Sequence, residues 1–445
     1  MLTPLNYCIV GAGPAGLAQA RAFLRHGIEI DVFERHHDVG GIWDINRTDS
    51  PIYESAHFIS SKTLSGYHDY PMPDSFPDYP GHRQIVHYLR DFADAFGLRE
   101  HITLDVSIER AEWIDAKWRI TLSTGETRRY DGLVCANGTQ WIPNTPTIPG
   151  TFTGEIFHSV AYRSIDQFRG RRVLVIGAGN SGVDIVCDAA KGADQAVLSM
   201  RRGYHIIPKH IFGQPSDVFA STGPHLPMPV AQWIFPKLLR LIHGKPQRYG
   251  LPKPDHKLFE SHPILNSQIL HYLSHGDLAI RPDVRRFDGS TVTFTDGSTQ
   301  DFDTVVFATG YHTHVPYLDN SYFTWKGNRP QLYMNVASRQ YPTLFALGFT
   351  EGDGGAYELF DEMADLIAHA ALAIAGDGQQ AQQWKRQLAT DYPDMRGGVR
   401  HVDSDRHQAY VHLVPYRKHY KQVYQDMGWS PIEAGQFTQR MVPRR

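Results

Sequence analysis

Tyr7-Cys-Ile-Val-Gly11-Ala-Gly13-Pro14-Ala15-Gly16, then an apolar run to about His26, then Glu29-Ile-Asp-Val-Phe-Glu34, is the stretch that decides the fold. It reads as strand, tight turn, helix and second strand, a βαβ unit. The three glycines have separate tasks: Gly11 permits the turn, Gly13 lets a pyrophosphate approach the backbone, and Gly16 lets helix and strand pack closely. Pro14 suits the first helical turn, where its missing N–H costs nothing. With Ala15 it opens a helix whose free N–H groups and positive dipole end favour phosphate. Glu34, 18 residues past Gly16, stands where a carboxylate accepts hydrogen bonds from ribose hydroxyls. The unit is read as dinucleotide-binding.

A second copy begins 166 residues later: Arg172-Val-Leu-Val-Ile-Gly177-Ala-Gly179-Asn180-Ser181-Gly182-Val-Asp184-Ile, a helix to about Ala190, and a strand over 195–202. Laid on the first copy without gaps, it puts Met200 opposite Glu34 and Arg201 opposite Arg35. The acid is gone and the Arg201–Arg202 pair takes its place. A carboxylate there would repel a 2′-phosphate, whereas a guanidinium binds one through a bidentate fork. The second unit is therefore read as an NADPH site. Two complete units in one chain imply an enzyme handling two dinucleotides, most economically by hydride transfer from a nicotinamide to a flavin.

The fold class expected is α/β, with two Rossmann-like dinucleotide-binding domains, the NADPH domain inserted into a discontinuous FAD domain. The boundaries expected are 1–164 for the first part of the FAD domain, 165–304 for the NADPH domain and 305–445 for the return. Residues 205–260, irregular and with six prolines from Pro224 to Pro252, read as an inserted helical segment. Hairpins are expected at Thr124-Gly125 and Asp296-Gly297. Helices are expected over 83–96, 359–375 and 379–388, the second with Leu359, Met363, Leu366, Ile367 and Ala370 on one face.

Composition narrows the function classes. Forty-four Lys+Arg against 47 Asp+Glu give a net charge of −3, with no basic block to make a nucleic-acid or membrane footprint. The most apolar later stretch, 228–242, carries Pro229, Pro236, Lys237 and Arg240, so no membrane span is expected. The chain enters its first motif by residue 7 without a basic leader, and a cytoplasmic location is expected. Cys8, Cys135 and Cys187 sit in apolar runs and cannot form the CxxC of a disulfide reductase. The 24 histidines are read as solvated or singly hydrogen-bonded imidazoles, and no metal site is expected.

Phe152-Thr-Gly154-Glu-Ile-Phe-His158-Ser-Val-Ala-Tyr162-Arg163 matches FxGxxxHxxx(Y/F)(K/R), the marker of the class B flavin monooxygenases. With Gly40-Gly41-Ile42-Trp43, the Gly179–Ile185 stretch and Ala308-Thr309-Gly310-Tyr311, the chain resembles that family over residues 5–350. The resemblance implies FAD on the first unit, with Arg35, Gly41, Ile42 and Trp43 added to the glycines and Glu34. It implies NADPH on Gly177, Gly179, Asn180, Ser181, Gly182, Asp184, Arg201 and Arg202, with Thr309 and Gly310 beside the cofactors. It also implies oxygen transfer from O2 to a small organic molecule through a C4a-hydroperoxyflavin, by N- or S-oxygenation or a Baeyer–Villiger reaction. The aromatic Tyr162 resembles the N/S-oxygenating branch.

The family's (T/S)N pair falls on Phe58-Ile59, and Ile59 cannot donate the hydrogen bond that its Asn supplies beside the flavin. Ser60 and Ser61 are the candidate replacements, and His158 is expected to orient the domain junction. Alternative readings are an NADPH oxidase or a redox-sensing flavoprotein that has lost productive oxygenation. Oligomeric state is not readable, a homodimer being one compatible assembly.

Overall fold

The computed structural model describes residues 4–223 and 226–437, so residues 1–3, Pro224 and 438–445 of the expected segments lie outside the described residues. Its largest sheet runs Leu332–Tyr333, Ala337–Ser338, Leu344–Ala346, Gly132–Cys135, Asn6–Val10, Glu29–Phe33, Ile102–Thr103. The last five pair in parallel and the first two return antiparallel. Asn6–Val10 and Gly132–Cys135 are buried nearly throughout. Continuous apolar runs suit parallel strands covered on both faces.

Helix Pro14–Arg25 follows the first strand and packs on helix Ala356–Ala375. Buried Ala18, Ala22, Ala364, Ala368 and Ala371 bring the backbones close, with Leu17, Phe23, Met363, Leu366 and Ile367 filling the same core. Two polar ties cross this contact. Gln19 Nε2 donates to the Ala364 carbonyl at 3.3 Å, and Arg21 Nη2 meets Asp361 Oδ1 at 2.7 Å.

The second sheet runs Glu155–His158, Thr304–Phe307, Arg172–Ile176, Gln195–Ser199, Leu278–Arg281, all parallel. Helix Asn180–Gly192 follows its glycine turn. Each unit also carries an antiparallel meander: Ile108–Ile114, Lys117–Leu122 and Thr127–Tyr130 in the first, and Val284–Gly289, Thr291–Phe294 and Thr299–Asp301 in the second. Gly125 and Gly297 take φ of +84° in the expected turns, a region glycine enters without strain.

The domain boundaries need moving. Glu155–His158 and Thr304–Phe307 lie outside or across the limits 165–304, yet both pair inside the second sheet. The chain crosses between units earlier and returns later, where Ile142–Pro143 pairs antiparallel with Tyr311–His312. Short runs such as 155–158 give no periodicity from which to assign a sheet.

The inserted segment contains helices Ser216–Thr222 and Met228–His243, and Gln268–His275 follows before the next sheet strand. The expected helices are present as His82–Ala95, Ala356–Ala375 and Gln379–Thr390. A further helix, Leu413–Met427, buries Tyr416, Tyr420 and Tyr424 in the first core. Among the described residues no helix is long and apolar enough to cross a membrane.

Candidate active site at two glycine turns

In the first turn Gly11 has φ +101°, and a Cβ there would lie 2.7 Å from the Ala136 carbonyl oxygen. A Cβ on Gly16 would lie 1.9 Å from the Gly11 oxygen, so only glycine lets helix and turn meet. Gly13 faces the other glycine pair: a Cβ on Gly41 would sit 2.9 Å from Gly13 Cα. Gly40 N–H donates to the Ala12 carbonyl at 3.1 Å, fixing that approach. Helix Pro14–Arg25 has no side-chain cap and no acid in its first turn. Its N-terminus therefore keeps free N–H groups with a positive dipole end, the donor set a pyrophosphate requires.

Glu34 is buried, with Oε2 accepting the Ala12 N–H at 2.8 Å and Oε1 the His36 N–H at 3.1 Å. A carboxylate has lone pairs beyond these two, so ribose hydroxyls fit the remaining acceptor capacity. Burial pushes the Glu34 carboxyl up, opposed by the Ala12 N–H and by Arg47. Arg47 was not among the residues singled out from the sequence. Its buried guanidinium lies 3.6 Å from Glu34 Oε1 and donates to the Gly41 carbonyl at 2.5 Å, joining the acid to the Gly40-Gly41 turn. Arg35 pairs with Asp49 at 2.5 Å and lies 4.4 Å over Trp141. The Ile42 carbonyl accepts from Ser50 Oγ at 2.6 Å, and Trp43 meets Phe58 edge-on at 4.8 Å.

The second turn repeats the first. Gly177 has φ +109°, with a Cβ 2.5 Å from the Ala308 oxygen, and a Cβ on Gly182 would lie 2.0 Å from the Gly177 oxygen. Gly179 faces open space. Helix Asn180–Gly192 likewise starts without a side-chain cap or a first-turn acid, and Ser181 is exposed there. Arg201 follows strand Gln195–Ser199, exposed, and no hydrogen bond or ion pair engages it among the described residues. Arg202 lies 5.6 Å over the Tyr204 ring.

Several residues expected at the second nucleotide are held by hydrogen bonds, some within their own unit and some across the junction between the units. Asp184 Oδ2 accepts from Tyr53 Oη at 3.1 Å and Oδ1 from Asn266 Nδ2 at 2.6 Å. Asn180 Oδ1 accepts the Leu265 N–H at 2.9 Å. Asp188 on the same helix accepts from Tyr162 Oη at 3.1 Å and from Ser55 Oγ. Thr309 Oγ1 donates to the Asn144 carbonyl, and the Gly310 carbonyl accepts the Asn144 N–H at 2.9 Å. Apart from Tyr162 and Asp188, which stand 26 residues apart, each of these partners lies more than 80 residues away, so none was assignable from the sequence.

His158 is 7% exposed, with Nε2 3.0 Å from the Gly310 carbonyl and Nδ1 accepting the Val160 N–H at 3.2 Å. Burial pulls its pKa down, opposed by the Gly310 contact. That fixes the neutral Nε2–H tautomer as a strap on the returning crossover. Ser60 Oγ accepts from Ser65 Oγ at 2.8 Å. Ser61 differs: its N–H donates to Asp217 Oδ2 at 2.6 Å, while its buried hydroxyl has no hydrogen-bond partner among the described residues. Phe58 is enclosed by Trp43 and by Tyr357 at 5.6 Å. Lys209, in the insertion, is drawn down to about 8 by burial, against the pull of Asp184. His271 and His275 form a His-x-x-x-His pair, ring centroids 4.1 Å apart, which a reading of the histidines as unclustered passes over.

Two parallel sheets, each with a glycine-lined, uncapped helix start, define a two-dinucleotide oxidoreductase. The flavin-binding monooxygenase-like family model matches residues 6–370. Rat flavin-containing monooxygenase 3 is 31% identical over 386 residues, covering 81% of this chain and 72% of that protein. The S-allyl-L-cysteine S-oxygenase of Allium sativum superposes with a TM-score of 0.66 at 20% identity, covering 97% of this chain and 90% of that one. The NADP+-bound cyclohexanone monooxygenase of Rhodococcus sp. Phi1 gives 0.68 at 18% identity, covering 95% and 98%. At such identities the two structures speak for the fold alone. The chain belongs to the flavin-binding monooxygenase-like family, and it is an NADPH-dependent flavoprotein monooxygenase that uses FAD and NADPH.

Proposed function

We propose that the chain transfers one oxygen atom from O2 to a small organic substrate, by N- or S-oxygenation in preference to a Baeyer–Villiger reaction. The supporting observation is the docking of the two units: Tyr53 and Ser55, beyond the Gly40-Gly41 turn, hydrogen-bond Asp184 and Asp188 on the helix that starts at the second turn. In this reading that contact would bring the two dinucleotide sites of one chain to a common junction. FAD when bound supplies hydride acceptance from NADPH and the activation of dioxygen.

In this reading Gly11, Gly13, Pro14, Ala15, Gly16 and Gly41 cradle the FAD pyrophosphate, and Glu34 takes the ribose. Arg35, Ile42 and Trp43 wall the site. Gly177, Gly179, Asn180, Ser181 and Gly182 form the NADPH phosphate turn, and Arg201 with Arg202 takes the 2′-phosphate. Asp184, Thr309 and Gly310 hold the junction, and His158 positions it without moving a proton. The Ser61 hydroxyl, buried without a partner, is the donor that offsets Ile59. Trp43, Phe58 and Tyr357 form an aromatic wall that would keep water from the oxygen chemistry a bound flavin would supply. Tyr162 supports the N/S reading. Cys8, Cys135 and Cys187 are free and buried, which supports a cytoplasmic setting.

The test is rapid mixing of NADPH-reduced holoprotein with oxygenated buffer. A delay between oxygen uptake and return of the oxidised flavin spectrum, shortened by a sulfide or tertiary amine, is the expected result. Immediate reoxidation with stoichiometric peroxide, indifferent to any amine, sulfide or ketone, would establish the NADPH oxidase that Ile59 favours.

A further inference from the structure

Helix Ala356–Ala375 carries four acids over about two turns: Glu358, Asp361, Glu362 and Asp365. Burying a carboxylate is costly unless a countercharge compensates it. Asp361 has Arg21 at 2.7 Å, and Arg417 takes Glu358 at 2.9 Å and Glu362 at 2.8 Å. Asp365, 3% exposed, has no Lys or Arg within ion-pair distance among the described residues. Its neighbours are imidazoles. His26 Nε2, at the end of helix Pro14–Arg25, lies 2.8 Å from Oδ1, and His369 Nε2, one turn along, lies 3.6 Å from Oδ2.

We propose that His26, Asp365 and His369 form a site for a divalent transition-metal ion, with zinc the ion their chemistry suits. Two imidazole nitrogens and one carboxylate oxygen lie within 4.8 Å of one another. A tetrahedral zinc with bonds of about 2.0–2.2 Å holds its ligands roughly 3.4 Å apart, so side-chain movements of about 1 Å close the set, with water in the fourth position. Outer contacts of the kind that orient metal ligands are in place. Tyr424 Oη donates to Asp365 Oδ2 at 2.7 Å, the His369 ring stacks on Trp429 at 5.1 Å and 16°, and it also hydrogen-bonds the Ser430 backbone.

The neighbouring group His68, Glu358 and Glu362 has the same ligand types within the same span. There Arg417 already occupies the cation's place, so it is not a second site. The His26 site lies at the opposite end of helix Pro14–Arg25 from its glycine turn, so a metal would clamp that helix to Ala356–Ala375 without touching the flavin turn.

Holoprotein stripped with EDTA is titrated with Co2+, read at wavelengths beyond the flavin bands, and the Co2+ is then displaced by Zn2+. One equivalent with tetrahedral absorption is expected, together with a Zn2+-dependent rise in the thermal midpoint. Asp365→Asn and His369→Gln, the latter at a side chain 20% exposed, should each weaken binding at least tenfold while the FAD content of the purified protein stays at the parent level. His271→Ala/His275→Ala should leave the equivalent intact. No tetrahedral band in excess Co2+, or an equivalent lost in the His271/His275 variant and kept in His369→Gln, overturns the proposal.

Discussion

Replacing Arg201 with Ala isolates recognition of the 2′-phosphate. Arg201 is exposed beyond strand Gln195–Ser199 and engages no partner among the described residues, so its removal takes no contact from the fold. Stability should change by no more than about 0.5 kcal/mol, as for surface positions generally. A charge-assisted hydrogen bond contributes about 1.5–3 kcal/mol, and exposure with salt screening places this one at the lower end. At about 1.4 kcal/mol per factor of ten, the KM for NADPH should rise about tenfold. NADH has no 2′-phosphate, and its KM should stay where it was. The assay is steady-state nucleotide oxidation by the holoprotein with both coenzymes at low and raised ionic strength, and salt should shrink the difference between parent and variant. Arg202→Ala, whose guanidinium leans on Tyr204, should have the smaller effect. A common factor for NADPH and NADH, or an Arg202 effect that exceeds that of Arg201, would refute the assignment.

Three further outcomes are expected. Ser61→Ala removes a buried hydroxyl without a partner, so the thermal midpoint should hold or rise while the peroxide formed per NADPH increases; an unchanged peroxide yield places Ser61 outside the oxygen site. Gly182→Ala puts a Cβ 2.0 Å from a backbone oxygen, so NADPH affinity should collapse while FAD, on the other sheet, stays bound; retained NADPH affinity would show the turn to be deformable. His262 and His401 are drawn down to about 3 and His407 to about 4, in each case chiefly by burial. Their folded pKa values lie below the unfolded one of about 6.5, so the unfolded chain binds more protons between these limits. Stability is then full above about pH 6.5 and falls as pH drops towards 4, by up to about 1.4 kcal/mol per pH unit for each group. Urea midpoints at pH 7.5, 6 and 5 test this, and a flat profile, or one unaltered by His401→Gln, contradicts it.

The glycine turns were legible because each glycine answers a local backbone demand, and Gly11 and Gly177 meet it with nearly equal φ. Glu34 was legible through its spacing from Gly16, since strand and helix lengths fix where that acid falls. Arg47 was not, because its relation to Glu34 exists only after Gly40-Gly41 folds back onto Gly13. Asp184 and Asn180 were read as nucleotide residues from their place in a motif; the sequence did not show that Asp184 also accepts from Tyr53 across the junction, or that Asn266 and Leu265 of the same unit donate to Asp184 and Asn180. Helix Leu413–Met427 did leave a signal: Tyr416, Tyr420 and Tyr424 stand four apart and all are buried. The sequence analysis singled out only the apolar face of Ala356–Ala375, and it is the pairing of three of its acids with Arg21 and Arg417 that sets the fourth apart.

The nested order of the two sheets also bears on the entropy of closing the outer one. Strand Gly132–Cys135 must find Leu344–Ala346 across about 210 residues, and loop-closure entropy opposes that search. Once the inner sheet has formed and Ile142–Pro143 has paired with Tyr311–His312, only about 40 flexible residues separate the two strands. The closure cost falls by about 1.5 kcal/mol on the logarithmic scaling of loop length. A preformed inner unit thus lowers the entropic cost of closing the outer sheet.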